Sequence, residues 1–517
     1  MAEPVLNDLT VVVLAAGGGT RMRSKTPKVL HEIGGRSLVG HVLAAVRETS
    51  PRAVVTVVGH QRELVGPHVA GLMPESLLAV QEEQKGTGHA VRVAVEAAAT
   101  TTGTVLVAYG DTPLLTGQSL RDFVAEHEAA QRAVSLLSGD VADPTGYGRV
   151  VRDADGEVLA IVEHKDASRA QLEITEINSG IMAFEAGFLV EALPRLGNDN
   201  AKGEYYLTDL VGLAREGGMM VGAHLLEDVV QTEGANDRAQ LAGLGRLLND
   251  RVVERWMREG VTVVDPATTW IDVGVELDRD VTILPGTQLL GSTSVGEDSV
   301  VGPDSTLRDC RVGRGATLTR VHGESAEVGD GATVGPYSYL RPGTRLGAAG
   351  KIGGFVETKN AVIGDGAKVP HLSYIGDAEI GEGTNIGAGT ITANYDGVAK
   401  HRTVVGSHAR TGSHNTFIAP VTIGDGASTG GGTVVRGEVP PGALAVSAGR
   451  MRVIEGWAED RRAGTAQAEA AAAARSATGP ASGAATGSAT GSATTARTSG
   501  DGDVTDPSSQ PPARDLG

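Results

Sequence analysis

The sequence predicts an α/β domain with a mixed, mostly parallel sheet, then a parallel β-helix, then a tail without stable structure. Three observations carry this. From residue 1 to about 235, fully apolar runs alternate with helical patterns. From 263 to 460, aliphatic-glycine pairs recur at a six-residue spacing. From 461 to 517 the chain is almost wholly Ala, Ser, Thr, Gly and Pro.

In the first region, LTVVVLAAG, AVVTVVG, TVLVAYGD and RAVSLLSG read as strands, with LVGHVLAAVRE and HAVRVAVEAA as helices between them. Continuous apolar strands separated by helices suit a parallel sheet covered on both faces, whose ligands bind at the carboxyl ends of the strands. Residues 236–262 carry leucines and valines at helical spacing and read as a linker helix.

In the second region, Val295-Gly296 is followed by Val301-Gly302, Val328-Gly329 by Val334-Gly335, Leu346-Gly347 by Ile352-Gly353, and Ile380-Gly381 by Ile386-Gly387. This six-residue period is the hexapeptide signature of a parallel β-helix, the aliphatic residue pointing into a narrow core and the glycine helping to turn the corner. It accounts for 73 glycines beside only 3% aromatics. NYDGVAKHRTVVG reads as a loop leaving the coil. The tail has too few large apolar residues to offset its ordering entropy and reads as disordered.

The formal charge is −18, which argues against a general nucleic-acid binder. The single cysteine, Cys310, excludes an intrachain disulfide and fits a reducing compartment. No apolar run is long enough to span a bilayer and the first residues lack a signal-peptide pattern, so a cytoplasmic protein without membrane contact is expected.

An acidic chain that binds an anion must do so through a local cluster. VVVLAAGGGTRMRSKTPKVLH places small residues after a strand, where backbone N–H groups can approach phosphate, with Arg21 and Lys28 supplying charge. It is not a Walker loop, lacking Gly-Lys-Ser/Thr, nor a dinucleotide fingerprint, since Met22 stands where the third glycine belongs. Taken alone, the stretch reads equally as a tight turn with two surface cations. Asp111 in YGDTP follows an apolar strand; it suits Mg²⁺ with substrate phosphates completing the octahedron, and alone it also reads as a turn or helix cap.

Together, LAAGGGTRMRSKTPKVL, QEEQKGTGHA, YGDTPLL, TGYGRVV, IVEHKD and INSGI resemble the sugar-1-phosphate nucleotidyltransferases. With KVPHLSYIGDAEIG and NIGAGTITANYDG, the resemblance is to the bifunctional family that joins a UDP-N-acetylglucosamine pyrophosphorylase (diphosphorylase) to a glucosamine-1-phosphate N-acetyltransferase. It covers residues 5 to about 460. It implies a Rossmann-like nucleotidyltransferase domain over 1–235, the linker helix over 236–262, and a left-handed β-helix acetyltransferase domain over 263–460. It also implies a homotrimer whose acetyl-transfer sites are assembled from neighbouring chains.

The resemblance further implies roles for individual residues. Leu14, Ala15, Ala16 and Gly17 meet the uracil nucleotide through backbone groups, and Arg21 and Lys28 hold phosphates. Gln81, Gly86 and Thr87 read the base; a side-chain amide can serve both a donor and an acceptor of uracil. Tyr109, Gly110 and Asp111 belong to the UTP and product site, and Asp111 with Asn236 binds the metal. Gly148, Glu163 and Asn178 hold the acetylamino sugar.

In the solenoid, polar residues stand where aliphatics are expected. A histidine near neutral pKa suits a base that takes the proton of an attacking amine. His371 alone reads as a structural histidine; by the resemblance it is that base. Arg341, Lys359, Tyr374 and Asn385 then bind glucosamine 1-phosphate, with Lys400 in the loop beyond. Asn394 orients the amine or thioester carbonyl, and Ala388, Asn394, Tyr395, Ser413 and Gly431 contact acetyl-CoA. One departure concerns coenzyme A: the family places an arginine directly after A-[IV]-S, whereas here Ser447 is followed by Ala448 and Gly449, then Arg450.

The function expected is acetylation of glucosamine 1-phosphate by acetyl-CoA, then transfer of UMP from UTP to N-acetylglucosamine 1-phosphate with release of pyrophosphate, supplying bacterial envelope synthesis. The competing reading is a single-activity sugar-1-phosphate nucleotidyltransferase whose β-helix only oligomerises or regulates; His371, Lys359 and the NYDG loop speak against it.

Overall fold

The computed structural model describes residues 8–200, 202–447, 449 and 453–477. By internal contacts the chain forms two units, Met1–Ala448 and Gly449–Gly517.

In the larger unit, the strands Leu9–Ala15, Ala53–Val58, Leu77–Val80 and Thr104–Tyr109 pair in parallel. Their inward residues, Val11, Val12, Val13, Val55, Val57 and Val105 among them, are completely buried. Glu176–Glu185 inserts antiparallel between Thr104–Tyr109 and Val134–Asp140, and Val221–Leu225 adds a parallel edge. The sheet is therefore mixed and mostly parallel. A hairpin of Gly148–Arg152 and Val158–Val162 hangs from the start of the antiparallel strand.

The helices begin where the sequence supplies caps. Ser37 caps Leu38–Arg47 by accepting from the Gly40 amide at 3.1 Å, and Thr116 caps Gly117–Ala129. Asp237 caps the 21-residue linker helix Arg238–Arg258 by accepting from the Gln240 amide at 2.9 Å. That helix packs Leu248 against Gly34 and Val273, joining the sheet domain to the first solenoid coil.

From Thr262 onward, short strands stack in three parallel columns, one per face of a β-helix. One column runs Thr262–Val263, Thr282–Ile283, Val300–Val301, Thr317–Leu318, Thr333–Val334, Lys351–Gly354 and Lys368–His371. Its inward residues, Ile283, Val301, Leu318, Val334, Ile352 and Val369, are all buried. The glycines of the pairs have two reasons: Gly302 and Gly335, at φ +111° and +101°, turn the chain as expected, whereas others admit the next coil. Gly329 is not in the left-handed region; a Cβ there would lie 2.7 Å from the Ala348 amide nitrogen, so glycine admits the next coil rather than turning the chain.

The NYDG segment leaves the coil as expected. It lies between strands Ile391–Ala393 and Thr403–Val405 and closes on itself through Asp396, which accepts from the Val398 and Ala399 amides and pairs with His401.

In the smaller unit the start of the tail differs from the disorder expected from 461. Trp457–Arg461 and Ala466–Ala477 are helical, the second because a run of alanines has the highest helix propensity. Arg462 stacks on the Trp457 ring at 4.8 Å. Arg450 and the tail beyond Ala477 lie outside the described residues.

Candidate functional sites

The first site forms at the carboxyl ends of two adjacent parallel strands. Leu14 registers with Tyr109, and the Gly110 amide donates to the Leu14 carbonyl at 2.9 Å. A cavity of about 380 Å³ opens there, lined by Leu14, Ala15, Ala16, Gly17, Lys28, Gln81, Gly86, Thr87, Tyr109, Asp111 and Asn236. Eleven residues expected at the nucleotide site thus share one cavity.

Its charged centre is Lys28. The ammonium forms an ion pair with Asp111 and donates to Asn236 Oδ1 at 2.9 Å. Two acceptor oxygens from remote parts of the chain converge on one cation.

The end of the cavity at Gln81 and Gly86 is built by close backbone approach. Gly86 has φ +102°, and a Cβ there would lie 2.6 Å from the Tyr205 carbonyl oxygen. Only glycine fits both constraints. Tyr205 in turn donates its amide to the Lys85 carbonyl at 2.8 Å and accepts from the Gly88 amide at 2.9 Å. Gln81 is buried, its Nε2 donating to the Gly86 carbonyl at 3.1 Å.

Across the cleft, Gly148 registers with Asn178, and a Cβ on Gly148 would lie 3.5 Å from Glu163 Oε1. These three form one wall. Burial raises the Glu163 carboxyl, with Lys202 opposing. Tyr109 links wall and cavity: its ring packs against Gly180, two residues beyond Asn178, and its hydroxyl is pushed up by burial and by Asp111 and Glu163.

Arg21 is not brought into this cluster. It sits on the exposed turn Thr20–Met22 and forms no ion pair among the described residues. Four cavity residues escaped the sequence reading, the apolar Val29 and Ala90 and the polar Gln84 and Glu204. Gln84 had a signal, standing three residues after Gln81 in QEEQKGTG; Glu204 arrives on a distant loop and had none.

The second site lies on the solenoid. Arg341 follows the strand Ser338–Leu340, its amide donating to the Thr358 carbonyl at 2.9 Å, so Arg341, Lys359 and Gly376 occupy successive rungs. Arg341 pairs with Glu357 at 2.8 Å, which raises its pKa. Lys359 is held below the ordinary lysine value, first by the neighbouring Lys400 ammonium, with Asp377 opposing. Tyr374 registers with Glu357 on the next rung, its ring against the Gly376 backbone. Asn394 is buried and donates to Asp377.

His371 ends the strand Lys368–His371 of an adjacent column, registered with Gly354, exposed and with no side-chain hydrogen bond among the described residues. Asn385 bridges Lys368 and Arg410 one coil on. Ala388, Ser413 and Gly431 stack along one corner: the His414 amide donates to the Ala388 carbonyl at 2.7 Å and the Gly432 amide to the Ser413 carbonyl at 2.8 Å. Tyr395 is exposed at the start of the NYDG loop and donates to the Gly397 carbonyl at 2.7 Å.

A family model described as a MobA-like NTP transferase domain matches residues 11–173. A bifunctional protein GlmU of Rhodococcus jostii (strain RHA1) is 60% identical over 470 residues, covering 89% of this chain and 94% of that one. Proteins of the same name from Corynebacterium efficiens and Streptomyces coelicolor are each 56% identical, over 466 and 463 residues, covering 89% of this chain and 96% of theirs.

Proposed function

We infer the function from one premise: the chain belongs to the family of bifunctional GlmU proteins. It is an enzyme of UDP-N-acetylglucosamine synthesis with two active sites. The solenoid transfers acetyl from acetyl-CoA to glucosamine 1-phosphate, and the α/β domain couples the product with UTP.

The observation that carries the two-site reading is the cation cluster of Arg341, Lys359 and Lys400 on the solenoid, remote in sequence from the Lys28 cavity. A stalk needs no such cluster, whereas a phosphate-bearing acceptor does. The amine of glucosamine 1-phosphate attacks the thioester carbonyl, the C–N bond forms, the C–S bond breaks and the thiol leaves. His371 takes the proton that the amine gives up. Arg341 and Lys359 hold the phosphate, Tyr374 and Asn385 the sugar, and Asn394, fixed by Asp377, orients the reacting groups. Ala388, Asn394, Tyr395, Ser413 and Gly431 form the acetyl-CoA track.

In the α/β domain a phosphate oxygen of N-acetylglucosamine 1-phosphate attacks the α-phosphorus of UTP and pyrophosphate leaves. Both partners are anions, so positioning and charge neutralisation dominate. Lys28 and Arg21 serve the triphosphate. Leu14–Gly17, Gln81, Gly86 and Thr87 hold the uridine, and Gly148, Glu163 and Asn178 the sugar. Tyr109 and Gly110 carry Asp111 into the cleft. Asp111 and Asn236 fit Mg²⁺, since both already direct oxygen atoms at one cationic point. When bound, Mg²⁺ would supply charge neutralisation for the phosphates.

We further propose a homotrimer whose acetyl-transfer sites combine residues of neighbouring chains, working in the cytoplasm. No helix among the described residues is long and apolar enough to cross a membrane.

The test is thiol release from acetyl-CoA with glucosamine 1-phosphate as sole acceptor and no UTP. Acceptor-dependent release supports two active sites. No release from folded, trimeric protein reduces the solenoid to a stalk and leaves a single-activity nucleotidyltransferase.

A further inference from the structure

The hairpin beneath the sugar wall contains a cation with no stated task. Arg149 is 1% exposed, the largest fully buried side chain among the described residues. Among the described residues it forms no ion pair, and its buried Nε has no hydrogen-bond partner. An unpaired charge in such a place is costly, and a core built for stability alone would replace it with an apolar side chain. Its two remaining nitrogens show what it holds. Nη1 donates to the Tyr147 carbonyl, and Nη2 lies 3.4 Å from His164 Nδ1. The Tyr147 carbonyl belongs to the peptide that ends at Gly148, and His164 directly follows Glu163. Arg149 itself sits in the middle of the three-stranded corner, registered with Val162 on one side and Ile177 on the other.

One planar group therefore fixes both the Tyr147–Gly148 peptide plane and the turn that carries Glu163. We propose that Arg149 is a positioning residue for the acetylamino-sugar phosphate: it sets the distance between Gly148 and Glu163 without touching the substrate. This rests on the assignment of Gly148 and Glu163 to the sugar under Proposed function. Neither Arg149 nor His164 lines the nucleotide cavity, so sugar and nucleotide affinity should separate.

The experiment measures kcat and KM for each substrate of uridylyl transfer in the full chain, with acetyl transfer and melting temperature as controls. Arg149→Met is expected to raise KM for N-acetylglucosamine 1-phosphate by about tenfold or more, leaving KM for UTP and acetyl transfer within about twofold. Arg149→Lys, which keeps the charge but loses the fork, should fall between Arg149→Met and the wild type. His164→Ala, which removes one arm, should raise the sugar-phosphate KM alone and by less; it also serves if Arg149→Met does not fold. Equal rises in both KM values, or an unchanged sugar-phosphate KM in folded variants, would overturn the proposal. Wild-type protein unable to use N-acetylglucosamine 1-phosphate would instead overturn the functional reading itself.

Discussion

Lys28 and Asp111 are ion-paired across the mouth of the nucleotide cavity, with Asn236 accepting a second hydrogen bond from the same ammonium at 2.9 Å. Lysine and aspartate lie 83 positions apart in sequence, and Asn236 just ahead of the linker helix. The pairing holds a cation and a metal-suited carboxylate in one place, and a triphosphate with its metal can divide them between itself.

Asp111→Ala is expected to lower uridylyl transfer by about 100-fold or more, the scale of losing a preorganised charged group at a reacting phosphate. Acetyl transfer, performed on the solenoid, should stay within about twofold. Parallel assays of pyrophosphate and thiol release on one preparation check this. Loss of both activities in folded protein would sink the division of labour.

His371→Ala should show the reverse. Removing a general base costs about 100- to 10,000-fold, here in thiol release, with pyrophosphate release unchanged. His371 has no side-chain hydrogen bond among the described residues, so the fold should not register its loss, and an unchanged melting temperature is part of the expectation.

The sequence made the β-helix legible because its core is a column of single side chains. Val301, Val334 and Ile352 each fill one position, and a six-residue period in sequence is a period in space. The nucleotide cavity was nearly as legible, because close backbone approach demands glycine and small residues in short stretches. Less could be read where partners come from afar. Glu204 enters the cavity on a distant loop, and nothing local marks it. Arg21 is the converse case: its motif groups it with Lys28, while its turn leaves the side chain exposed and outside the cavity lining. The reason for glycine in the hexapeptides also needed coordinates, since φ and the approach of the next coil are not in the sequence.

Lys359 and Lys400 make a pH prediction. The proximity of Lys400 is the largest cause holding Lys359 below the ordinary lysine value, because each cation disfavours the other. A lowered pKa means that Lys359 loses its proton, and its hold on phosphate, at a lower pH than an isolated lysine. Lys400→Met removes that cause. The alkaline rise in KM for glucosamine 1-phosphate should therefore move to higher pH, whatever the change in KM at neutral pH. A limb that stays in place would mean that Lys359 does not carry the phosphate.

Acid stability gives the last prediction. His41 is buried on the Leu38–Arg47 helix, its Nε2 2.9 Å from the Ile33 carbonyl. Burial, aided by Arg36, lowers its pKa from 6.5 to about 4, with the Ile33 carbonyl opposing. His127 is also buried, and burial with Arg132 takes it to about 4. The unfolded chain protonates these rings below pH 6.5 while the native fold refuses the proton until about pH 4. The unfolded state thus binds more protons in that window, and stability falls as pH falls. Each ring contributes a slope of about 1.4 kcal/mol per pH unit there, and none above it. His41→Gln keeps a side-chain donor for the Ile33 carbonyl and removes the titration. Its urea midpoint should fall less steeply than that of the wild type between pH 6.5 and 4, converging in slope above pH 7. Equal slopes throughout would show that His41 charges freely in the folded protein.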